Sequence, residues 1–194
     1  AKYYNCLLYK CHKESYLNSL LVTIEAYLHR LMKSYNTAHR IICPSRFMYN
    51  QLLEDGMERS KLICLPNFIA DKFFEMKTEG LSFIRERTIL YYGRLSKEKG
   101  IDLLIEAKKI ISPDVKLRII GTGPEEERLR KRVEDESIPN IEFLGFKQGN
   151  ELFQEIQSSK CTIIPSLWNE VFGLTVVESY CLGTPVIGSD IAGI

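Results

Sequence analysis

Residues 88–110 read TILYYGRLSKEKGIDLLIEAKKI, and this stretch decides the fold. Thr88–Tyr92 is a short run, apolar on both faces, as a strand in the middle of a sheet must be. Gly93 lets the chain turn sharply where the run stops. After a basic loop, Ile101–Ile110 reads as an amphipathic helix. The same step recurs downstream. Strands are predicted at Lys116–Ile120, 141–144, Cys161–Ile164 and 185–187, with helices over 124–135, 150–157 and Leu174–Cys181. Short apolar strands separated by amphipathic helices predict an α/β fold, a doubly wound parallel sheet with helices on both sides. No side-chain signature repeats from unit to unit, so the chain is not a solenoid.

Upstream, Leu17, Leu20, Leu21, Ile24, Leu28, Leu31 and Met32 recur at helical spacing, which predicts a helix over 14–35. Residues 40–43 and 62–65 read as short strands. Ser45 is a candidate N-cap for a helix through Leu53, closed by Gly56. Periodicity breaks down over 68–87, which reads as a segment crossing between two domains.

Composition narrows the function. The chain has 194 residues with 26 Lys and Arg against 25 Asp and Glu. A net charge of +1 gives no electrostatic case for nucleic-acid binding. A hydrophobic fraction of 45% supplies a sizeable core, and no apolar run approaches the roughly 18 residues of a membrane span. The opening on Ala1 and the stop on Ala192-Gly193-Ile194 read as cuts in a longer protein. Cys43, Cys64, Cys161 and Cys181 sit in apolar runs, as buried free thiols do, so a reducing cytoplasm is expected. Cys6, Cys11 and His12 have the wrong spacing for a zinc knuckle and no visible fourth ligand.

In a sheet of this type, ligands bind outside the carboxyl ends of the strands, so four loops matter. The first, 93–100, holds Arg94 and Lys99 near a helix start, where a shared anion would relieve their conflict with the helix dipole. A solvated basic loop is the equal alternative. The second, Gly121-Thr122-Gly123-Pro124, suggests a dinucleotide fingerprint, but Glu126 stands where a third glycine is needed. Pro124 at the first helical position, followed by Glu125, Glu126 and Glu127, makes an electronegative start that would repel a pyrophosphate. The third, Gly145-Phe146-Lys147, could hold a flat base or be a plain turn. The fourth gathers the only tryptophan, Trp168, with Glu170 and Gly173. The amides of Gly173, Leu174 and Thr175 form an anion cradle there. Glu178 falls about one turn into the following helix, where it either faces the crevice or caps the helix surface. Both carboxylates suit sugar hydroxyls.

Together Gly93-Arg94-Leu95 with Lys99-Gly100, Gly121-Thr122-Gly123-Pro124, Phe143-Leu144-Gly145, Glu170-x7-Glu178 with Phe172-Gly173-Leu174, and Gly183-Thr184-Pro185-Val186-Ile187 with Asp190 resemble glycosyltransferase family 4, a group with the GT-B fold, over residues 40–194. The resemblance implies two Rossmann-like domains. Residues 1–67 would be the end of the N-terminal, acceptor-side domain, 68–87 the crossing segment, and 88–194 a truncated nucleotide-sugar-binding domain. It implies a retaining transfer of a sugar from UDP or GDP to a carbohydrate or lipid-linked acceptor, with no metal or other cofactor. Arg94 and Lys99 would bind and neutralise the diphosphate, and Glu178 would hold the ribose. Glu170, with the amides around Phe172, Gly173, Leu174 and Thr175, would position the donor sugar. Gly93 would shape the turn, and the backbone at Phe146 and Lys147 would recognise the base. The expected location is cytoplasmic, with peripheral contact at the inner face of the membrane left open by Lys2, Tyr3, Tyr4 and Lys10. A nucleotide-sugar-binding module without turnover is the alternative.

Overall fold

The computed structural model describes residues 2–12, 15–69 and 86–194. The chain divides into two compact units, Ala1–Leu65 and Pro66–Ile194. Of the expected crossing segment 68–87, residues 70–85 lie outside the described residues.

In the first unit, helix α1 (Tyr4–Leu8) packs beside α2 (Tyr16–Leu31), with the Tyr3 and Tyr27 rings edge to face at 5.2 Å. Ser15 caps α2 by accepting from the Asn18 amide. The helix ends at Leu31, short of the expected 35, because Lys33 takes a left-handed backbone (φ 52°) and a 3-10 turn follows over Ser34–Thr37. Small polar residues, Ser19 and Thr23, are what α2 buries. The leucine stripe, Leu17 and Leu31 among it, faces outward. Strands β1 (Ile41–Cys43) and β2 (Leu62–Cys64) pair in parallel around α3 (Arg46–Glu54), a βαβ unit. Ser45 caps α3, accepting from the Met48 amide at 3.2 Å. Cys43 is buried as expected, whereas Cys64 is exposed, because β2 directs only Leu62 inward.

The second unit carries five parallel strands: β3 (Thr88–Tyr92), β4 (Lys116–Ile120), β5 (Ile141–Gly145), β6 (Cys161–Ile164) and β7 (Val186–Gly188), in the spatial order β5-β4-β3-β6-β7. Helices α4 (Ile101–Ile110), α5 (Glu126–Asp135), α6 (Gly149–Ser158) and α7 (Leu174–Cys181) connect them. The residues of β3 divide between two cores. Tyr91 packs with Leu104, Ile105, Leu117 and Leu129 of α4, β4 and α5. Leu90 and Tyr92 pack with Ile120, Phe153, Ile156 and Leu182. This is the doubly wound α/β fold, and it explains why the strands read as unbroken apolar runs. Helix α5 begins at Glu126 rather than Pro124, and the Glu125 amide ahead of it donates to the Leu95 carbonyl at 3.1 Å. Among the described residues no helix is long and apolar enough to cross a membrane.

Strand order fixes where a ligand can enter. From β3 the chain steps outward through β4 to β5, then returns to lay β6 on the other side of β3. The crevice at such a reversal opens between the loops that follow β3 and β6.

Candidate functional site

Those two loops are joined through side chains and main chain. Lys99 Nζ forms an ion pair with Glu170 Oε1, and the Ser166 hydroxyl donates to the same oxygen at 2.8 Å. The Leu167 amide donates to the Glu98 carbonyl at 2.8 Å. Gly100 has φ +69°, and a Cβ there would stand 2.0 Å from the Pro165 carbonyl oxygen. Glycine is therefore required both by its backbone and by the approach of the next loop.

The loop after β4 is held just as closely. The Leu95 amide donates to the Thr122 carbonyl at 3.0 Å, and a Cβ on Gly121 would lie 1.9 Å from the Gly93 carbonyl oxygen. The glycines of Gly121-Thr122-Gly123 thus serve loop-to-loop packing. The carboxylates behind them turn to arginines on their own helix, Glu125 to Arg128 and Glu126 to Arg130.

Arg94 is exposed, and its guanidinium makes no ion pair with another described residue. Its carbonyl accepts from the Tyr91 hydroxyl at 2.8 Å, which fixes the loop while leaving the cation outward. Ser96 donates to Glu98 at 2.6 Å, and that bond holds the Glu98 carboxyl below its usual range. Burial pushes the Tyr91 phenol far above its usual range, with the charges of Glu170 and Glu98 adding to the effect.

Two cavities share this floor. One, of about 500 Å³, is lined by Gly121, Pro124, Phe146, Lys147 and Leu152. The other, of about 530 Å³, is lined by Lys99, Ser166, Trp168, Glu170, Phe172 and the start of α7. Tyr92, Gly93 and Arg94 line both. Arg94 therefore stands where the two lobes meet. Lys147 does not reach freely into its lobe, because its ammonium pairs with Glu155 of α6, and Arg118 of β4 grips the other Glu155 oxygen at 3.2 Å. Phe146 is exposed beside it, and Trp168 is 65% exposed at the rim of the other lobe.

At the second lobe Gly173 (φ +72°) opens α7 without a side-chain cap. In the first turn of α7 the Val176 amide donates to the Gly173 carbonyl at 2.9 Å, while the Leu174 and Thr175 amides meet no backbone acceptor among the described residues, and with the helix dipole those two favour an anion. Val171, Phe172 and Leu174 carry the loop around it. Burial pushes the Tyr92 phenol far above its usual range, and the charge of Glu178, one turn into α7, adds to the effect.

The structure thus gathers Gly93, Arg94, Lys99, Glu170, Phe172, Gly173, Leu174 and Thr175 in adjoining lobes, with Phe146 and Lys147 across from them. Lys99 differs from the sequence-based expectation in being held by Glu170 rather than standing open beside Arg94. Sequence reasoning missed Tyr91, Tyr92, Ser166 and Gly193. The signal for the tyrosines was a pair of polar-tipped rings ending an apolar strand, since a buried phenol must find a partner. The Gly193 amide donates to the Glu170 carbonyl at 2.9 Å, so the last residues buttress the loop.

Comparisons with known proteins agree with this fold. The model of the family described as "Glycosyl transferases group 1" matches residues 73–194, more than half of the chain. An uncharacterized glycosyltransferase of Methanocaldococcus jannaschii is 35% identical over 112 residues, which are 56% of this chain and 28% of that protein. The chain spans less than half the length of the curated relatives it matches. Among solved structures, the pneumococcal O-GlcNAc transferase GtfA in complex with UDP and GlcNAc is 25% identical (TM-score 0.61), covering 81% of this chain and 31% of its own. Anabaena HepE in complex with UDP and glucose shares the fold at 20% identity (TM-score 0.66), covering 80% of this chain and 45% of its own.

Proposed function

Because the chain belongs to the family of glycosyl transferases group 1, we propose that its second unit binds a nucleoside-diphosphate sugar and that the protein transfers the sugar, with retention, to a carbohydrate or lipid-linked acceptor. The observation that carries this reading is the position of Arg94 at the junction of two lobes. One lobe has an apolar, aromatic wall, and the other has the Glu170 carboxylate, the Ser166 hydroxyl and the amides of Leu174 and Thr175. A base and ribose suit the first, a sugar the second, and a diphosphate the cation between them. UDP is the favoured donor nucleotide, since HepE and GtfA were solved with it.

In the proposed reaction the bond between the anomeric carbon and the β-phosphate oxygen breaks, and the electron pair leaves with the diphosphate. Arg94, Lys99 and the amides of Leu174 and Thr175 stabilise the charge that develops, the work a metal ion does elsewhere. The acceptor hydroxyl forms the new bond on the face the diphosphate leaves, and its proton passes to the departing phosphate oxygen. Glu170 orients the sugar hydroxyls, and Glu178, which lines neither lobe but lies near the Tyr92 ring that both share, would reach the ribose from there. For Lys99 to meet phosphate it must share or leave its Glu170 partner, so donor binding and release of that ion pair are one event.

Calorimetric titration with UDP, GDP and ADP tests the reading. UDP should bind saturably, equally well with a chelator present. Arg94→Ala should weaken it at least about tenfold, the cost of a lost charge-assisted hydrogen bond. Binding of none of the three, or undiminished binding by the variant, would overturn it.

A further inference from the structure

Tyr91 and Tyr92 end β3 side by side and face opposite sides of the sheet. The first uses its hydroxyl to hold the Arg94 carbonyl. Tyr92, buried at 8% exposure, reaches across the sequence. Its hydroxyl donates to the Thr175 carbonyl at 3.0 Å, in the first turn of α7, and lies 3.1 Å from the Ser179 hydroxyl one turn further on. Ser179 in turn donates to Thr162 of β6 at 3.1 Å. One phenol thereby connects the strand that launches Gly93 and Arg94, the helix that presents the open amides and Glu178, and the neighbouring strand. A phenylalanine would fill the same volume; only the hydroxyl makes these links.

We infer that Tyr92 is a positioning residue for the donor site, fixing the distance between Arg94 and the first turn of α7 so that both can grip one diphosphate. The inference rests on the donor-site reading above. A cation and an amide cradle hold one anion jointly only while their separation matches it, and each lies on a different loop. Side chains cannot adjust for the amides, so the separation must be set by whatever joins β3 to α7. Gly93 follows Tyr92 directly, and Thr175 closes the cradle, so the phenol bridges the two at their nearest residues. Burial keeps it protonated, so it remains a donor throughout the neutral range.

Tyr92→Phe in this 194-residue chain tests the assignment through two readouts that lost packing alone would not move. The Kd for UDP, measured well below the melting temperature, should rise about fivefold, the equivalent of one net hydrogen bond. Amide exchange should quicken in residues 174–178 and stay unchanged in α4 and β4. A Kd within twofold of the unaltered chain, with exchange in α7 also unchanged, overturns the role of Tyr92 and leaves the donor site standing. Failure of the unaltered chain to bind any nucleoside diphosphate overturns the donor-site reading, and this role with it.

Discussion

Gly100 and Gly145 share the same backbone, φ +69°, yet substitution should cost them differently. A Cβ on Gly145 meets nothing within 4 Å, whereas one on Gly100 would stand 2.0 Å from the Pro165 carbonyl oxygen. Gly145→Ala should therefore lose only the left-handed penalty, about 1 kcal/mol. Gly100→Ala should lose about 1–3 kcal/mol more, from forcing loops apart, and equal losses in urea unfolding would refute the close-approach account. At this scale the sequence revealed residue types better than partners. Arg94, Lys99 and Glu170 stood out by charge beside glycines at strand ends. Nothing in local spacing says that Lys99 meets a carboxylate 71 positions away, because only the sheet brings the loops after β3 and β6 together.

Elements were legible where their cause is local. The five strands of the second unit and the cap of α3 follow from apolar runs and a single hydroxyl, whereas the Ser15 cap of α2 went unread. Boundaries shifted where the backbone broke pattern, as when Lys33 took a left-handed conformation just past the end of α2. Helices α4 and α5 are stitched by Asp102, which accepts from Arg132 at 2.6 Å and also pairs with Arg128. Hydrogen bonding from Arg128, then Arg132, holds the Asp102 carboxyl below its usual range. A carboxyl whose pKa is lowered on folding adds stability above its unfolded value, near 4, and loses it as the pH falls. Asp102→Asn should melt a few degrees lower at pH 7 and lose less on going from pH 5 to pH 3 than the unaltered chain. Parallel acid limbs in scanning calorimetry would show that the stitch contributes nothing to them.

For the molecule as a whole, alternating strands and helices announced the doubly wound sheet, and the division at Leu65 and Pro66 falls at the end of the predicted strand 62–65, just ahead of the stretch where periodicity breaks down. Every residue lining the two lobes falls in Pro66–Ile194, as do both of the apolar cores flanking its sheet. Residues 66–194 alone should therefore unfold in one cooperative transition and bind UDP within about threefold of the 194-residue chain, a difference under 1 kcal/mol. A non-cooperative melt, or loss of binding, would show that the first unit is needed to maintain the site.

The close backbone contacts of Gly100, Gly121 and Gly193 carry a consequence for divergence. The floor of the crevice is built from carbonyls and glycines, so it changes only at a heavy cost in stability. Its rim, with Phe146, Leu167 and Trp168 exposed, can be rewritten residue by residue without moving that floor. A lineage can thus vary the edge by drift while the floor beneath the two lobes is inherited intact.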